Sequence, residues 1–176
     1  MIEIIGITGL AGSGKTTFAN ILANRLLEEH LVYSDIIPFA YKLKEFAKML
    51  GWNGEKDKLG RTLLQLLGTE VVRECVGDNA WINHWETERK KRSLNTDNIT
   101  NNFIIDDVRF LNEAAYIKAH NGIIVKMHGR SYNDVNSAHK SESELLNIKE
   151  DFLITNDKEI SDLTEYADSI IKDLKI

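Results

Sequence analysis

Residues 2–29 read IEIIGITGLAGSGKTTFANILANRLLEE, and this stretch constrains the rest of the chain more than any other. A short apolar run, IEIIGIT, precedes GLAGSGKT at 9–16, and a segment with helical spacing follows. GLAGSGKT matches G-x-x-x-x-G-K-[ST] at every fixed position, with strand, loop and helix in the order that this motif needs. A loop of this kind holds the phosphates of a nucleotide.

The residue types in this loop suit the chemistry of phosphate binding. Glycines at positions 9, 12 and 14 let the backbone curl, so that successive N–H groups converge on phosphate oxygens. Lys15 can reach the β and γ phosphates, and the Thr16 hydroxyl can complete the shell of a magnesium ion. We therefore predict ATP and Mg²⁺ as cofactors, with Thr16 as a metal ligand. The predicted nucleotide-binding residues are Ala11, Gly12, Ser13, Gly14, Lys15, Thr16 and Thr17.

Composition excludes several classes of protein. The chain has 176 residues, 43% of them hydrophobic, which is enough for one compact domain with a real core. The formal net charge of -5 provides no basic excess for a nucleic acid backbone. We find no signal peptide and no apolar run near the roughly 18 residues of a membrane span, so we expect a cytoplasmic protein. The single cysteine, Cys75, lies in an apolar helical pattern and is predicted to be packed and inert.

Five apolar runs, each followed by helical spacing, indicate how the chain is built. They are IEIIGIT, VYSDIIPF, FIIDD, GIIVKM and DFLIT. Strands that alternate with helices predict an α/β fold with a five-stranded parallel sheet.

The segment GRTLLQLLGTEVVRE at 60–74 is predicted to be one amphipathic helix. Its apolar face carries Leu63, Leu67 and Val71. Residues spaced by four form a polar stripe on another side, consisting of Arg61, Gln65, Thr69 and Arg73. Guanidinium, amide and hydroxyl groups suit a phosphate and a base edge, although a stripe that simply faces solvent is the alternative. Gly68 in mid-pattern indicates a close backbone approach or a kink.

A second polar group follows the third apolar run, in FIIDDVRF at 103–110. Strand C-termini of an open parallel sheet face the ligand crevice, so Asp106 and Asp107 are predicted to face the phosphates. A carboxylate there can hold magnesium through its water, and Arg109 can neutralise an acceptor phosphate. The alternative is an aspartate that caps a helix, with Arg109 as its ion-pair partner. Trp81 can stack on a base or pack in the core.

Six stretches together resemble the deoxynucleoside monophosphate kinases of tailed bacteriophages. They are GLAGSGKTT, FAYKLKEFA at 39–47, GRTLLQLLGTEVVRE, DNAW at 78–81, IIDDVRFLNEA and FLITND. The resemblance covers nearly the whole chain. It implies that the γ-phosphate of ATP is transferred to a deoxynucleoside monophosphate.

The same resemblance implies an architecture. We expect a P-loop NTPase three-layer fold in a single domain, residues 1–176, with its core at 1–38 and 100–176. A helical acceptor-binding region is expected at about 39–99 and a lid at about 129–145. A homodimer is possible, and neither a nucleic acid nor a membrane is expected as a partner.

The resemblance also assigns roles to individual residues. Arg61 and Arg109 match arginines near the acceptor, and Lys44 matches the lysine of an FA-x-x-LK stretch. Trp81 matches an aromatic position, and Gln65 and Arg73 are further substrate-binding candidates. Asp107 is favoured over Asp106 as a substrate-binding residue and as the second metal ligand beside Thr16.

Three further assignments concern the reacting phosphate and the adenine base. Arg130, which follows a strand, is predicted to be catalytic together with Lys15 and Arg109, and Lys140 is a rival for its role. Asn156 is predicted to approach adenine, or alternatively to cap the last helix.

Two other functions fit the phosphate-binding loop. One is a kinase for another small phosphorylated acceptor, such as phosphomevalonate or dephospho-coenzyme A. The other is a nucleotide-dependent switch or binding module with slow turnover.

Overall fold

The computed structural model describes residues 3–55, 57–95, 102–129, 140–157 and 159–174. All five predicted strands are present and pair in parallel, in the order β2-β3-β1-β4-β5. The strands are β1 Ile4–Thr8, β2 Ser34–Ile36, β3 Asn102–Val108, β4 Ile123–Gly129 and β5 Phe152–Asn156. The predicted α/β class with a five-stranded parallel sheet is confirmed.

Helices cover both faces of this sheet, which makes three layers. The α-helices are α1 Lys15–His30, α2 Leu43–Met49, α3 Lys58–Gln65, α4 Ala80–Asn95, α5 Leu111–Ala119, α6 Lys140–Leu146 and α7 Ile160–Asp173. On one face, buried side chains of α1 and α7 pack against Ile5, Ile7 and Val125. On the other, those of α4 and α5 pack against Phe103 and Ile105. Alternate residues of each central strand thus enter different cores, as strand geometry requires.

The helical region between β2 and β3 contains an element that periodicity did not predict. A π-helix, Leu66–Val76, continues directly from α3, where the sequence predicted a single α-helix. Its i→i+5 hydrogen bonding adds a residue to each turn, so side chains rotate away from the faces expected for an α-helix.

From Thr69 to Arg73, this change of register reverses the predicted faces of the segment. Thr69 and Arg73, predicted on the polar stripe, are buried, and Val71, predicted on the apolar face, is 48% exposed. Cys75 is exposed as well, so its predicted packing was wrong. Gly68 lies where a Cβ would come within 3.2 Å of the Leu43 side chain. The Leu43 side chain of α2 therefore packs closely against Gly68.

Among the described residues, no helix is long and apolar enough to cross a membrane. The predicted lid at 129–145 falls largely on residues 130–139, which lie outside the described residues. Its C-terminal part is the helix α6.

Candidate active site

The phosphate-binding loop connects β1 to α1 and ends at Gly14, the N-cap of α1, whose φ is 94°. A Cβ at Gly9 would lie 2.4 Å from the Met127 backbone oxygen, so the loop fits against β4 only with glycine there. The Lys15 amine donates to the backbone oxygens of Gly9 at 2.8 Å and Leu10 at 2.7 Å. The lysine is thus held against the loop in which the nucleotide phosphates are predicted to bind.

Asn156, the last residue of β5, contacts this loop through its side-chain amide. Its Nδ2 donates to the Ser13 backbone oxygen at 3.0 Å. A Cβ on Gly14 would lie 2.4 Å from that nitrogen, so the amide packs directly against the loop. The alternative that Asn156 caps the last helix was wrong, because Glu159 is the N-cap of α7. Its approach to adenine stays a prediction.

The adjacent aspartates of β3 have separate partners. The Thr16 hydroxyl donates to Asp106 Oδ2 at 2.6 Å. The Asp107 carboxylate instead accepts from the backbone N–H groups of Phe39 at 2.6 Å and Ala40 at 3.0 Å. The oxygen pair of Thr16 and Asp106 has the hard-ligand chemistry that Mg²⁺ prefers.

A break in strand register explains how two neighbouring carboxylates reach these partners. Gly6 of β1 pairs with Ile105, but Thr8 pairs with Val108, so β3 has one residue more than β1 between these pairs. Such irregularities bend a strand and re-aim side chains near active sites. Burial raises the pKa of the Asp107 carboxyl, the charge of Asp106 adds to this, and the N–H groups of Ala40 and Phe39 oppose it. Asp107 therefore fixes the turn that leads into α2.

Residues of the predicted acceptor side lie in different environments. Trp81 is 4% exposed and donates its indole N–H to the Gly68 backbone oxygen at 2.9 Å, so it packs in the core. Lys44 on α2 and Arg61 on α3 are exposed, and Gln65 and Arg109 are half-buried. Arg130 lies outside the described residues, and the Lys140 side chain is likewise not described.

Arg73 is not on an open surface but belongs to a buried group that sequence reasoning missed. Its guanidinium lies 3.3 Å from Glu113 Oε1 and donates to Asn112 Oδ1 at 2.8 Å. Glu113 Oε2 accepts from the backbone N–H groups of Arg109 at 2.8 Å and Phe110 at 3.1 Å. Burial raises the pKa of Glu113 to about 8, and the charge of Asp107 acts in the same direction. A glutamate three residues after the N-cap of α5, Phe110, is the signal that could have indicated this role.

These features define a class of protein. A lysine-containing loop at the end of β1, with a carboxylate of the neighbouring β3 against its threonine, is the arrangement of P-loop nucleotide-binding enzymes. Residues 34–166 match the model of the family "Deoxynucleotide monophosphate kinase", which is more than half of the chain. The chain belongs to this family, and the predicted resemblance is confirmed. It is an ATP-dependent phosphotransferase.

A relative agrees with this membership. A protein of Acanthamoeba polyphaga mimivirus, named "Putative deoxynucleotide monophosphate kinase", is 30% identical over 178 residues. The alignment covers 90% of this chain and 91% of the viral protein.

Solved structures give a weaker likeness. A cysteine-to-alanine mutant of the Mycobacterium tuberculosis APS kinase CysC has a TM-score of 0.49 and 15% sequence identity to this chain. The alignment covers 99% of this chain and 98% of the APS kinase chain. A sugar kinase of Janibacter sp. HTCC2649 has a TM-score of 0.46 and 14% identity, and covers 98% and 95%. Neither likeness is strong enough to bear on the substrate.

Proposed function

We propose that this chain transfers the γ-phosphate of ATP to a deoxynucleoside monophosphate, giving ADP and a deoxynucleoside diphosphate. The family match carries the proposal, because residues 34–166 include the helical region and the end of β3, where an acceptor would bind. The site geometry supports it, since the Lys15 amine lies against the phosphate-binding loop and Thr16, the next residue, donates to Asp106. A cytoplasmic location and the domain division described above belong to the same proposal.

Thr16 and Asp106 would hold Mg²⁺ in this enzyme. Their oxygens are 2.6 Å apart and are of the type that magnesium prefers. Bound there, the ion would neutralise charge on the ATP phosphates. This assigns to Asp106 the metal role that sequence reasoning favoured for Asp107, whose two oxygens are engaged by backbone N–H groups.

The acceptor phosphate would bind opposite the loop, between Arg109 and the helical region. The attacking atom is already a phosphate oxygen anion, so the protein need not supply a strong base. Its work is alignment and stabilisation of charge in the transition state. Arg109 and Arg61 would hold the acceptor phosphate, with Lys44 and Gln65 nearby on the same region. Arg130 from the lid is proposed to reach the transferring group together with Lys15.

Asp107 would contribute to substrate binding indirectly, by holding the backbone of the turn before α2. By accepting from Phe39 and Ala40 it fixes the turn before α2, the helix that carries Lys44. The carboxylate thus connects the end of β3 to the start of the acceptor-binding region. Trp81 would support the same region from inside the core, through its hydrogen bond to Gly68.

A panel of acceptors tests the reaction. ADP release is measured with ATP, Mg²⁺ and each deoxynucleoside monophosphate, with ribonucleotides, phosphomevalonate and dephospho-coenzyme A for comparison, and without acceptor. We expect turnover that depends on at least one deoxynucleotide and that Lys15→Ala abolishes. Turnover with one of the other acceptors alone would replace the proposed substrate. ADP release that ignores every acceptor would favour a nucleotide-dependent switch.

A further inference from the structure

Arg73, Phe110 and Glu113, which are buried, and Asn112, which is half-buried, form a cluster between the helical region and the start of α5, called the Arg73 cluster below. Arg73 and Glu113 are 5% and 3% exposed. The Arg73 guanidinium lies 3.7 Å from the centroid of the Phe110 ring, in addition to its contacts with Glu113 and Asn112. One side chain of the π-helix therefore contacts three residues in the first turn of α5 or next to it.

The cluster holds the backbone of the residue that the acceptor phosphate is proposed to meet. Both N–H groups bound by Glu113 Oε2 belong to the segment Arg109–Phe110, between β3 and α5. With Arg73 on the other oxygen of Glu113, that segment is fixed relative to the π-helix. Arg109 directly follows the last residue of β3, Val108, and is half-buried.

The cluster also reaches the start of α4. Asn112 Nδ2 donates to the Asp78 backbone oxygen at 2.9 Å and to Asn79 Oδ1 at 2.7 Å. Three elements therefore meet near the backbone of Arg109. They are the π-helix, the turn before α4 and the start of α5.

Stability alone is a poor reason for burying these polar groups. Moving a guanidinium and a carboxyl group out of water is unfavourable, and apolar replacements of buried pairs are often neutral or stabilising. A planar guanidinium, in contrast, fixes partners in several directions at once, which an apolar side chain cannot do. The chemistry of the cluster suits accurate placement of a backbone segment.

We propose that Arg73 and Glu113 are positioning residues that set Arg109 for the acceptor phosphate and do not themselves contact the substrate. This inference rests on the proposed function and adds to it. It differs from the role predicted for Arg73 from sequence, which was direct binding of the substrate.

A double-mutant cycle between Arg73 and Arg109 tests the inference. Arg73→Lys retains the positive charge but loses the planar guanidinium that contacts several partners at once. It should raise the KM for the deoxynucleotide about tenfold and change the KM for ATP by less than about twofold. In an Arg109→Ala background the same change should have almost no further effect on the acceptor. Full additivity of the two effects would mean that Arg73 acts independently of Arg109, and would overturn the inference.

Two further variants separate positioning from loss of folding. Asn112→Ala removes one partner of Arg73 without stranding a buried charge, and should raise the acceptor KM in the same direction but less. Arg89→Lys is the matched control, because Arg89 pairs with Glu86 within α4 and should leave both KM values unchanged. Equal rises in the KM for ATP and for the acceptor in Arg73→Lys would indicate a general structural defect, and would count against positioning.

Amide hydrogen exchange needs no turnover, so it tests this inference separately from the proposed function. In Glu113→Ala, which removes the acceptor oxygen, the amides of Arg109 and Phe110 should exchange with solvent at least about tenfold faster than in the native chain, relative to amides of the central strands. Unchanged protection of both amides would overturn the inference whatever the activity. A native chain that turns over no deoxynucleotide would refute the proposed function, and with it the role given to Arg109.

Discussion

At the scale of single residues, Asp106 and Asp107 have opposite tasks although they are neighbours in the chain. Asp106 accepts from Thr16 of the phosphate-binding loop, and Asp107 accepts from two backbone N–H groups before α2. Two like charges are tolerable here because each has its own donors. Their different partners lead to different expected consequences of substitution.

Asn replacements at these two positions should separate catalysis from stability. Asp106→Asn weakens the proposed metal site and should lower kcat about 100-fold or more, since a bound metal contributes several kcal/mol to transition-state stabilisation. Asp107→Asn turns an amide N–H₂ toward a backbone N–H, and should lower the unfolding free energy by about 1–3 kcal/mol with a smaller loss of kcat. Steady-state kinetics and urea unfolding of both variants measure this. The reverse ranking of kcat losses would return the metal role to Asp107.

Glu86 gives a pH-dependent prediction at the same scale. Its hydrogen bonds to Arg89 are the main cause that lowers its pKa from 4.5 to about 2, and its bond to the Tyr116 hydroxyl acts in the same direction. A depressed folded pKa stabilises the protein above the unfolded value of 4.5 and loses that effect as the pH falls through about 2.

Glu86→Gln should therefore lower the unfolding free energy by about 1–3 kcal/mol at pH 7, with the difference from the native chain shrinking between pH 4.5 and pH 2. Denaturant unfolding across this range measures the effect. Glu28→Gln is the control, because the Glu28 side chain is 65% exposed and should give little difference at any pH. A Glu86→Gln deficit that persists unchanged at pH 2 would exclude its ionisation as the cause.

At the scale of elements, the π-helix determines which side chains of the acceptor-binding region are buried. An α-helical register would bury Val71 and expose Thr69 and Arg73, whereas the structure does the opposite. The Arg73 cluster exists because of this rotation. Amphipathic periodicity could not reveal it, because apolar spacing assumes the hydrogen-bond pattern that the π-helix replaces.

A pair of lysine substitutions tests the register of this element. Val71→Lys should change the unfolding free energy by less than about 0.5 kcal/mol, because the side chain faces solvent. Thr69→Lys should cost about 2 kcal/mol or more, since it places a charge at a buried position. Urea unfolding of both variants provides the comparison. A tolerated Thr69→Lys beside a damaging Val71→Lys would indicate an α-helix instead.

The register irregularity in β3 is a second element that sequence could not disclose. FIIDDV indicates a strand that ends on carboxylates, and that much was predictable from its apolar run. Which carboxylate meets Thr16 depends on one additional residue in β3 relative to β1. Register of this kind is set by pairing between strands that are far apart in the sequence, and the local sequence of one strand does not specify it.

At the scale of the whole molecule, the sheet order explains why the site forms where it does. β1 and β3 are neighbours although helices and a further strand separate them in the chain. Their C-terminal ends bring the phosphate-binding loop beside Asp106, at the edge where open parallel sheets bind ligands. The helical region follows β2 and reaches this edge from one side.

Most of this architecture was predictable, because each strand is a distinct apolar run between helical patterns and GLAGSGKT matches a motif with a fixed mechanism. Strand order and the Arg73 cluster were not predictable, since both depend on contacts between residues far apart in sequence. Lys15 and Thr16 lie where expected because their position follows from the local backbone. Arg73 does not lie on the exposed face expected for it, because its position depends on packing against α5.

Transfer of a labelled γ-phosphate is the measurement that tests the proposed reaction most directly. The native chain is incubated with γ-labelled ATP, Mg²⁺ and a mixture of deoxynucleoside monophosphates, and the products are separated. The account predicts label in a deoxynucleoside diphosphate, in amounts equal to the ADP formed, and none with Lys15→Ala. Label that appears only as inorganic phosphate, or in no product, would contradict it.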